Sequence, residues 1–151
     1  MSDTLLPVLD LITDHLDRQA KLLPDQDFIV FEDSALSFAQ TKGLVDQAAR
    51  ALLATGVQKQ DRVAMMSNPR PEFFIHFLAV TSIGAIWVGL NPKYTADELD
   101  HVVNDAGPCL LFGFNDVEGD NNQEKLLALA QEHQSIQKLI LFDQPTDRQG
   151  T

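Results

Sequence analysis

The sequence predicts an α/β fold: an open, mostly parallel sheet with helices on both faces, preceded by one helix and a small hairpin. Three observations lead there. Four short, largely apolar strands, Val63–Met66, Ala85–Leu90, Cys109–Phe112 and Lys138–Phe142, are separated by single helices. That alternation implies right-handed crossovers and a parallel sheet. The strands lack the in-out polar alternation of a sheet wetted on one side, so both faces need cover. Between Val63 and Pro92 only Arg70 and Glu72 are charged, histidine aside, which predicts that this stretch lies at the centre of the fold.

The elements follow in order. Leu5, Leu9, Ile12 and Leu16 recur three or four apart, predicting a helix over Leu5–Ala20 that Pro24 ends. Phe28–Phe31 and Leu36–Phe38 are rich in strand formers, and Glu32-Asp33-Ser34 between them reads as a tight turn. A helix follows over Ala39–Ala54, with Leu44, Val45, Ala48, Ala49, Leu52 and Leu53 as its apolar stripe. Gly56 suits a left-handed helix end, with Val57 packing back on the last turn. After the first sheet strand, Asn68-Pro69 reads as a helix start, Asn capping and Pro set for the first turn. That helix carries Phe73, Phe74, Phe77, Leu78 and Val80 and stops at Gly84. Thr95-Ala96-Asp97-Glu98 fits a capping box, opening a helix that buries Leu99, Val102, Val103 and Ala106 and ends at Gly107-Pro108. The last helix is expected over Glu124–His133.

Composition removes several classes. The chain has 151 residues, 44% apolar and 22% charged, which suits one core-forming domain. Its net charge of −11 repels phosphate backbones and anionic lipid, so nucleic acid and membrane surfaces are poor partners. Cys109 is the sole cysteine, which excludes an internal disulfide or a cysteine-clustered zinc site. Asp10, Asp14 and Asp17 interrupt the amino-terminal apolar residues, so no secretory leader is read there, and no apolar run reaches the ~20 residues of a membrane helix. The cytoplasm is the expected compartment.

The common catalytic motifs are missing. No two of the eight glycines stand two apart, which rules out a G-x-G-x-x-G dinucleotide fingerprint. Neither a P-loop nor a G-x-S-x-G elbow is present. Asp97, His101 and Asp105 share a helix face that a metal could use with a third ligand, but a solvated acidic face is the favoured reading. His76, inside an apolar helix, reads as a core histidine bonded to a carbonyl rather than a general base. Asp116, Glu118 and Asp120 alternate as calcium ligands do, yet Gly119 is misplaced and the twelfth-position glutamate is missing, so a solvated loop is expected. Cys109 reads as an apolar filler of its strand. Trp87 and Tyr94 could line a pocket, although a strand tryptophan is more often core.

Two stretches resemble the AMP-forming acyl-CoA synthetase and adenylation-domain family. LSFAQTKGLVDQAARALLATGVQKQDRVAMMSNPRPEFFIHFLAV is similar to its opening pattern of an L-T-Y-x-E-L strand, a helix, a G-V turn, a K-x-G-D-x-V-A strand and an N-x-x-E-F helix start. SIGAIWVGLNPKYTADELDHVVNDAGPCLLF is similar to its G-A-x-x-V-P-L-N-P stretch, the helix behind it and the next strand. The resemblance covers roughly Phe28 to Phe112, within a chain read as the amino-terminal part, 1–151, of the family's large domain. Gln60 stands where the family usually has Gly, Gly89 replaces a common Pro, and Gln40-Thr41 replaces Glu-Leu. Leu90-Asn91-Pro92 is closer to acyl-CoA synthetases than to peptide-synthetase adenylation domains, which more often carry Asp there.

The resemblance implies a reaction: a carboxylic acid and ATP give an acyl-adenylate and pyrophosphate, then a thiol, usually coenzyme A, displaces AMP. It implies ATP, Mg²⁺ and coenzyme A for the complete enzyme and none for this segment alone. The family's Ser/Thr/Gly-rich loop, metal-binding Glu, ribose-binding Asp and carboxy-terminal Lys have no counterpart between Met1 and Thr151. No catalytic, cofactor-binding or metal residue is therefore carried over. Asn68 and Thr95 are read as helix caps, and Asp61-Arg62 as a surface pair. After the last strand only DQPTDRQGT remains, too short for a covering helix, so the sequence reads as a piece of a longer enzyme, incompetent by itself. The alternatives are a non-catalytic binding or interaction module derived from this subdomain, or a fragment of a peptide-synthetase adenylation domain.

Overall fold

The computed structural model describes residues 7–117 and 120–142, with side chains placed for all of these but 116, 117, 120 and 121. Its centre is β3 (Arg62–Met66), whose residues Val63, Ala64, Met65 and Met66 are completely buried. The four-stranded sheet has the order β4-β3-β5-β8, with β4 (Ile86–Leu90), β5 (Leu110–Gly113) and β8 (Lys138–Leu141) all parallel to their neighbours. The pleat sends alternate residues of β3 to opposite faces. Val63 and Met65 join a core with α2 (Phe38–Ala54) and α3 (Pro71–Ser82), while Ala64 and Met66 join one with α4 (Ala96–Ala106) and α5 (Gln123–Glu132). Each buried methionine contributes roughly 2 kcal/mol from transfer alone.

The two crossovers that flank β3 run in opposite directions. The connection from β3 to β4 passes through α3 on one face, and that from β4 to β5 passes through α4 on the other. Opposite directions on opposite faces preserve the right-handed rule. The predicted hairpin is present as β1 (Asp27–Phe31) and β2 (Ser34–Ser37), antiparallel, turning through Glu32-Asp33. A second short hairpin, β6 (Asp116–Val117) with β7 (Asp120–Asn121), precedes α5.

Several boundaries differ from expectation. Among the described residues the first helix, α1, spans Ile12–Leu22 and not Leu5–Ala20; Leu5 lies outside the described residues. Its start is set by Asp14, whose carboxylate accepts the Leu11 amide at 3.0 Å. Asn68-Pro69 is not the helix start. The helix α3 opens at Pro71, its N1 residue, behind Arg70, because a proline fixes φ and needs no amide partner there. The stretch from Val63 to Pro92 is only partly central: β4 is an edge strand, and Ile86 is 48% exposed.

The cap and turn signals of α2 are honoured, although Leu44 and Leu53 of its expected apolar stripe are exposed. Gly56 has φ +98°, and the Val57 and Gly56 amides reach back to the Leu52 and Leu53 carbonyls at 3.1 and 3.0 Å, closing α2 as a Schellman motif. Ser37 and Gln40 form a capping box at the start of α2, so glutamine does at position 40 what glutamate does elsewhere. Gln60 has φ +72° while its amide is held by the Gly84 carbonyl at 2.8 Å, which explains why a glycine is usual at that position.

Arg62 does not form a surface pair with Asp61. Its Nε and Nη2 donate to the carbonyls of Ala106 and Gly107 at 2.8 and 3.2 Å, and Nη1 to that of Gln60 at 3.2 Å. The guanidinium thus satisfies the carboxyl end of α4 and faces the negative end of its dipole. The Asp61 carboxylate instead accepts the Gln58 amide at 2.8 Å.

Two stability outcomes are expected. Arg62→Met keeps the apolar stem but orphans these carbonyls, and should lower unfolding stability by about 2 kcal/mol in urea titration; a loss below ~0.5 kcal/mol would show that water replaces the guanidinium freely. Gln60→Gly should raise stability by up to ~1 kcal/mol, since relief of the left-handed strain exceeds the entropic cost of glycine. A lower urea midpoint for that variant would refute the strain argument.

Candidate functional site

Because β3 and β4 are parallel and in register at Met66 and Leu90, the segments that leave them emerge side by side. In open α/β sheets this carboxyl edge is where ligands bind. Here the two segments enclose a bowl of about 370 Å³. Ser67, Asn68 and Pro69 form one wall, Asn91, Lys93 and Tyr94 the other, and Phe73, Gly89 and Leu90 line the rest.

Each wall is fixed by short-range bonds. Ser67 Oγ donates to the Asn68 carbonyl at 2.7 Å. Asn91 Oδ1 accepts the Lys93 amide at 2.9 Å, and the Tyr94 amide reaches the Asn91 carbonyl at 3.0 Å, a turn for which Asn is well suited. Thr95 then caps α4 as expected: its hydroxyl accepts the Glu98 amide at 3.3 Å, and Glu98 accepts the Thr95 amide at 2.8 Å. The Thr95 amide and hydroxyl hold the Glu98 carboxyl below its ordinary range. Phe73 meets Trp87 edge-on, with ring centres 5.1 Å apart. A Cβ on Gly89 would stand 3.1 Å from Phe73 Cζ, so a side chain there would push into this pair.

The bowl brings together Asn68 and Tyr94, which the sequence raises separately, and excludes Trp87 from its lining. Trp87 instead packs against the α2–α3 core. Lys93 escapes sequence reasoning because nothing local distinguishes it; only the pairing of β3 with β4 places it opposite Asn68.

A second, more apolar groove of about 430 Å³ lies between α2 and α3, lined by Leu44, Ala48, Ile75 and His76 among others. His76 Nδ1 lies 2.7 Å from the Glu72 carbonyl; a carbonyl only accepts, so Nδ1 carries the hydrogen. The ring packs against Phe112 and Phe142 at 5.3 and 4.9 Å. Burial lowers the His76 pKa and outweighs the Glu72 carbonyl and carboxylate, which raise it. Burial likewise raises the Cys109 thiol, aided by Asp61. Among the described residues no three His, Cys, Asp or Glu side chains converge as a metal would need, the Asp97–His101–Asp105 face included. Glu118 lies outside the described residues, as do the side chains of Asp116 and Asp120.

An open parallel sheet with a bowl at its carboxyl edge defines an α/β ligand-binding architecture that serves many activities. The chain belongs to the AMP-binding enzyme family, whose pattern matches residues 16–151. It is 38% identical over 94 residues to the mitochondrial medium-chain acyl-CoA ligase of Bos taurus, covering 61% of this chain and 15% of that protein. A linear gramicidin synthase of Brevibacillus parabrevis is 33% identical over 123 residues, 81% of this chain and 2% of that one. The fold matches acetoacetyl-CoA synthetase from Streptomyces lividans with a TM-score of 0.81 at 21% identity, over 87% of this chain and 22% of that structure. The chain corresponds to the amino-terminal part of adenylate-forming enzymes, and at 15% and 2% spans a small share of the two relatives' lengths.

One pH outcome follows from His76. The unfolded chain binds its proton near the ordinary 6.5, and the folded chain binds it only at lower pH. Stability from this group is therefore complete above 6.5 and falls as the pH drops from there toward the folded value. His76→Gln should flatten the fall in urea-unfolding stability between pH 6.5 and 5.5; an unchanged slope would remove His76 as its source.

Proposed function

We propose that the longer protein is an AMP-forming acid–thiol ligase and that this segment is its first subdomain, without a catalytic group of its own. In that reaction a carboxylate oxygen attacks the α-phosphorus of ATP and pyrophosphate leaves. The sulfur of coenzyme A then attacks the acyl carbon and AMP leaves. The observation that carries the reading is the family match over 16–151, on a fold that aligns with acetoacetyl-CoA synthetase. No residue of this segment is assigned to Mg²⁺. Peptide-synthetase adenylation is the second reading, favoured by the gramicidin synthase, which matches 81% of this chain. Asn91, where such domains more often carry Asp, favours coenzyme A. A net charge of −11 argues against nucleic acid as a partner. Among the described residues no helix is long and apolar enough to cross a membrane. The cytoplasm is our reading of the compartment, argued from the lone thiol.

Against the expectation that this segment alone binds no cofactor, we read the bowl as the place where it meets a phosphate-bearing co-substrate. Lys93 offers an ammonium in a chain otherwise dominated by acids, and Asn68 stands across from it as an amide donor. Two measurements test the proposal. The 151-residue chain should show no ATP–pyrophosphate exchange with any carboxylate, and robust exchange would overturn the division of labour proposed for it. In NMR titrations, coenzyme A should shift the Asn68, Lys93 and Tyr94 amides with a Kd on the order of 1 mM, weakened severalfold by Lys93→Ala. Shifts with ATP but not coenzyme A would move the bowl to the first half-reaction; shifts with neither would remove it as a ligand site.

A further inference from the structure

We propose that Lys125 of α5 is the positioning residue for the rim of the bowl; the inference rests on the bowl's role as a ligand site only for its effect on ligand. Lys125 Nζ donates to the Pro92 carbonyl at 2.7 Å and stands 3.5 Å from that of Tyr94. These carbonyls bracket Lys93, so one ammonium is bonded to the backbone just before the residue that faces the bowl and lies near the carbonyl just after it. The tether spans 33 residues of sequence and joins α5, which packs behind the sheet, to the loop leaving edge strand β4.

The chemistry favours a dedicated role. The chain carries 22 acidic side chains, yet Lys125 places its charge on main-chain carbonyls. Bonds from an ionised donor to a carbonyl are stronger than neutral ones and shorter. Between Asn91 and Tyr94 the other bonds are local, Lys93 amide to Asn91 Oδ1 and Tyr94 amide to Asn91 carbonyl, and Thr95 ties the loop's end to Glu98 of α4. Such bonds shape a turn but do not fix its position relative to the facing wall at Asn68. Lys125 supplies that fixed point from a different element.

The experiment compares the wild-type 151-residue chain with Lys125→Met and Lys125→Arg, first by amide hydrogen exchange without ligand. The methionine variant should exchange the Lys93 and Tyr94 amides about tenfold faster while the Leu129 and Ile140 amides stay within about twofold, and arginine should restore most of the protection. Unchanged exchange at Lys93 and Tyr94, or an equal rise at Leu129 and Ile140, would overturn the proposal, the latter by making Lys125 a general support of the fold. In the second arm, coenzyme A should bind the methionine variant severalfold more weakly than wild type. If the loop loosens but wild type binds no coenzyme A, the tether stands and the bowl fails as a ligand site. If wild type binds and the loosened variant binds equally well, Lys125 does not position the ligand site.

Discussion

The structure depends on the complete burial of one strand. Four consecutive residues of β3 have no exposed surface, and an extended chain can achieve this only with a hydrogen-bonded neighbour on each side and a helix layer on each face. Val63 and Met65 require α2 and α3 behind them, and Ala64 and Met66 require α4 and α5. Handedness then leaves little choice: with α3 on one face and α4 on the other, β4 and β5 must lie on opposite sides of β3. The bowl follows from the same constraint, because a parallel β3–β4 pair delivers both exit loops to one edge.

Burial on this scale leaves carbonyls to satisfy, and two cations do so. Arg62 closes the carboxyl end of α4 and Lys125 the loop after β4. Both are long side chains from elements distant in sequence, and both bind main chain rather than acid side chains. In an acidic chain that choice has a physical rationale. An exposed ion pair contributes little net energy, whereas a carbonyl withdrawn from water gains a partner it would otherwise lack. Lys42 shows the other pattern: it bridges Asp17 and Asp46 at 3.0 and 2.8 Å across α1 and α2, and these acids raise its pKa.

The features legible in the sequence are the local ones. The Thr95–Glu98 capping box and the Gly56 and Gly107 helix ends are decided within one or two turns and appear as expected, while of the 0, 3, 4, 7 stripe of α4 Leu99 and Val103 are buried and Val102 and Ala106 half-buried. The start of α3 is misplaced by sequence reasoning because two prolines compete there, and Pro71 rather than Pro69 sits at the first helical position. The edge position of β4 is hidden because an apolar strand looks the same at an edge as at the centre. The bowl is only half legible. Asn68 and Tyr94 can be named, but the pairing that sets Asn68 across from Lys93 and Tyr94 is a property of register, which no single segment encodes.

The departures from the family pattern acquire meaning only against this geometry. Gln60 accepts a left-handed backbone because its amide is pinned to Gly84 and the turn has no slack to avoid it. Thr41, where leucine is usual, is fully buried and its hydroxyl has no partner among the described residues, a cost with no visible return in this segment. Gly89 differs from both. It stands in β4 beneath the Phe73–Trp87 pair, and the missing side chain is the space that Phe73 Cζ approaches. A proline at this position would bring ring atoms toward Phe73 and remove an amide from an edge strand, where that loss is tolerated. The floor of the bowl is therefore set by how much of position 89 Phe73 is allowed to fill. Of the three departures, this is the one whose consequence reaches the lining of the bowl.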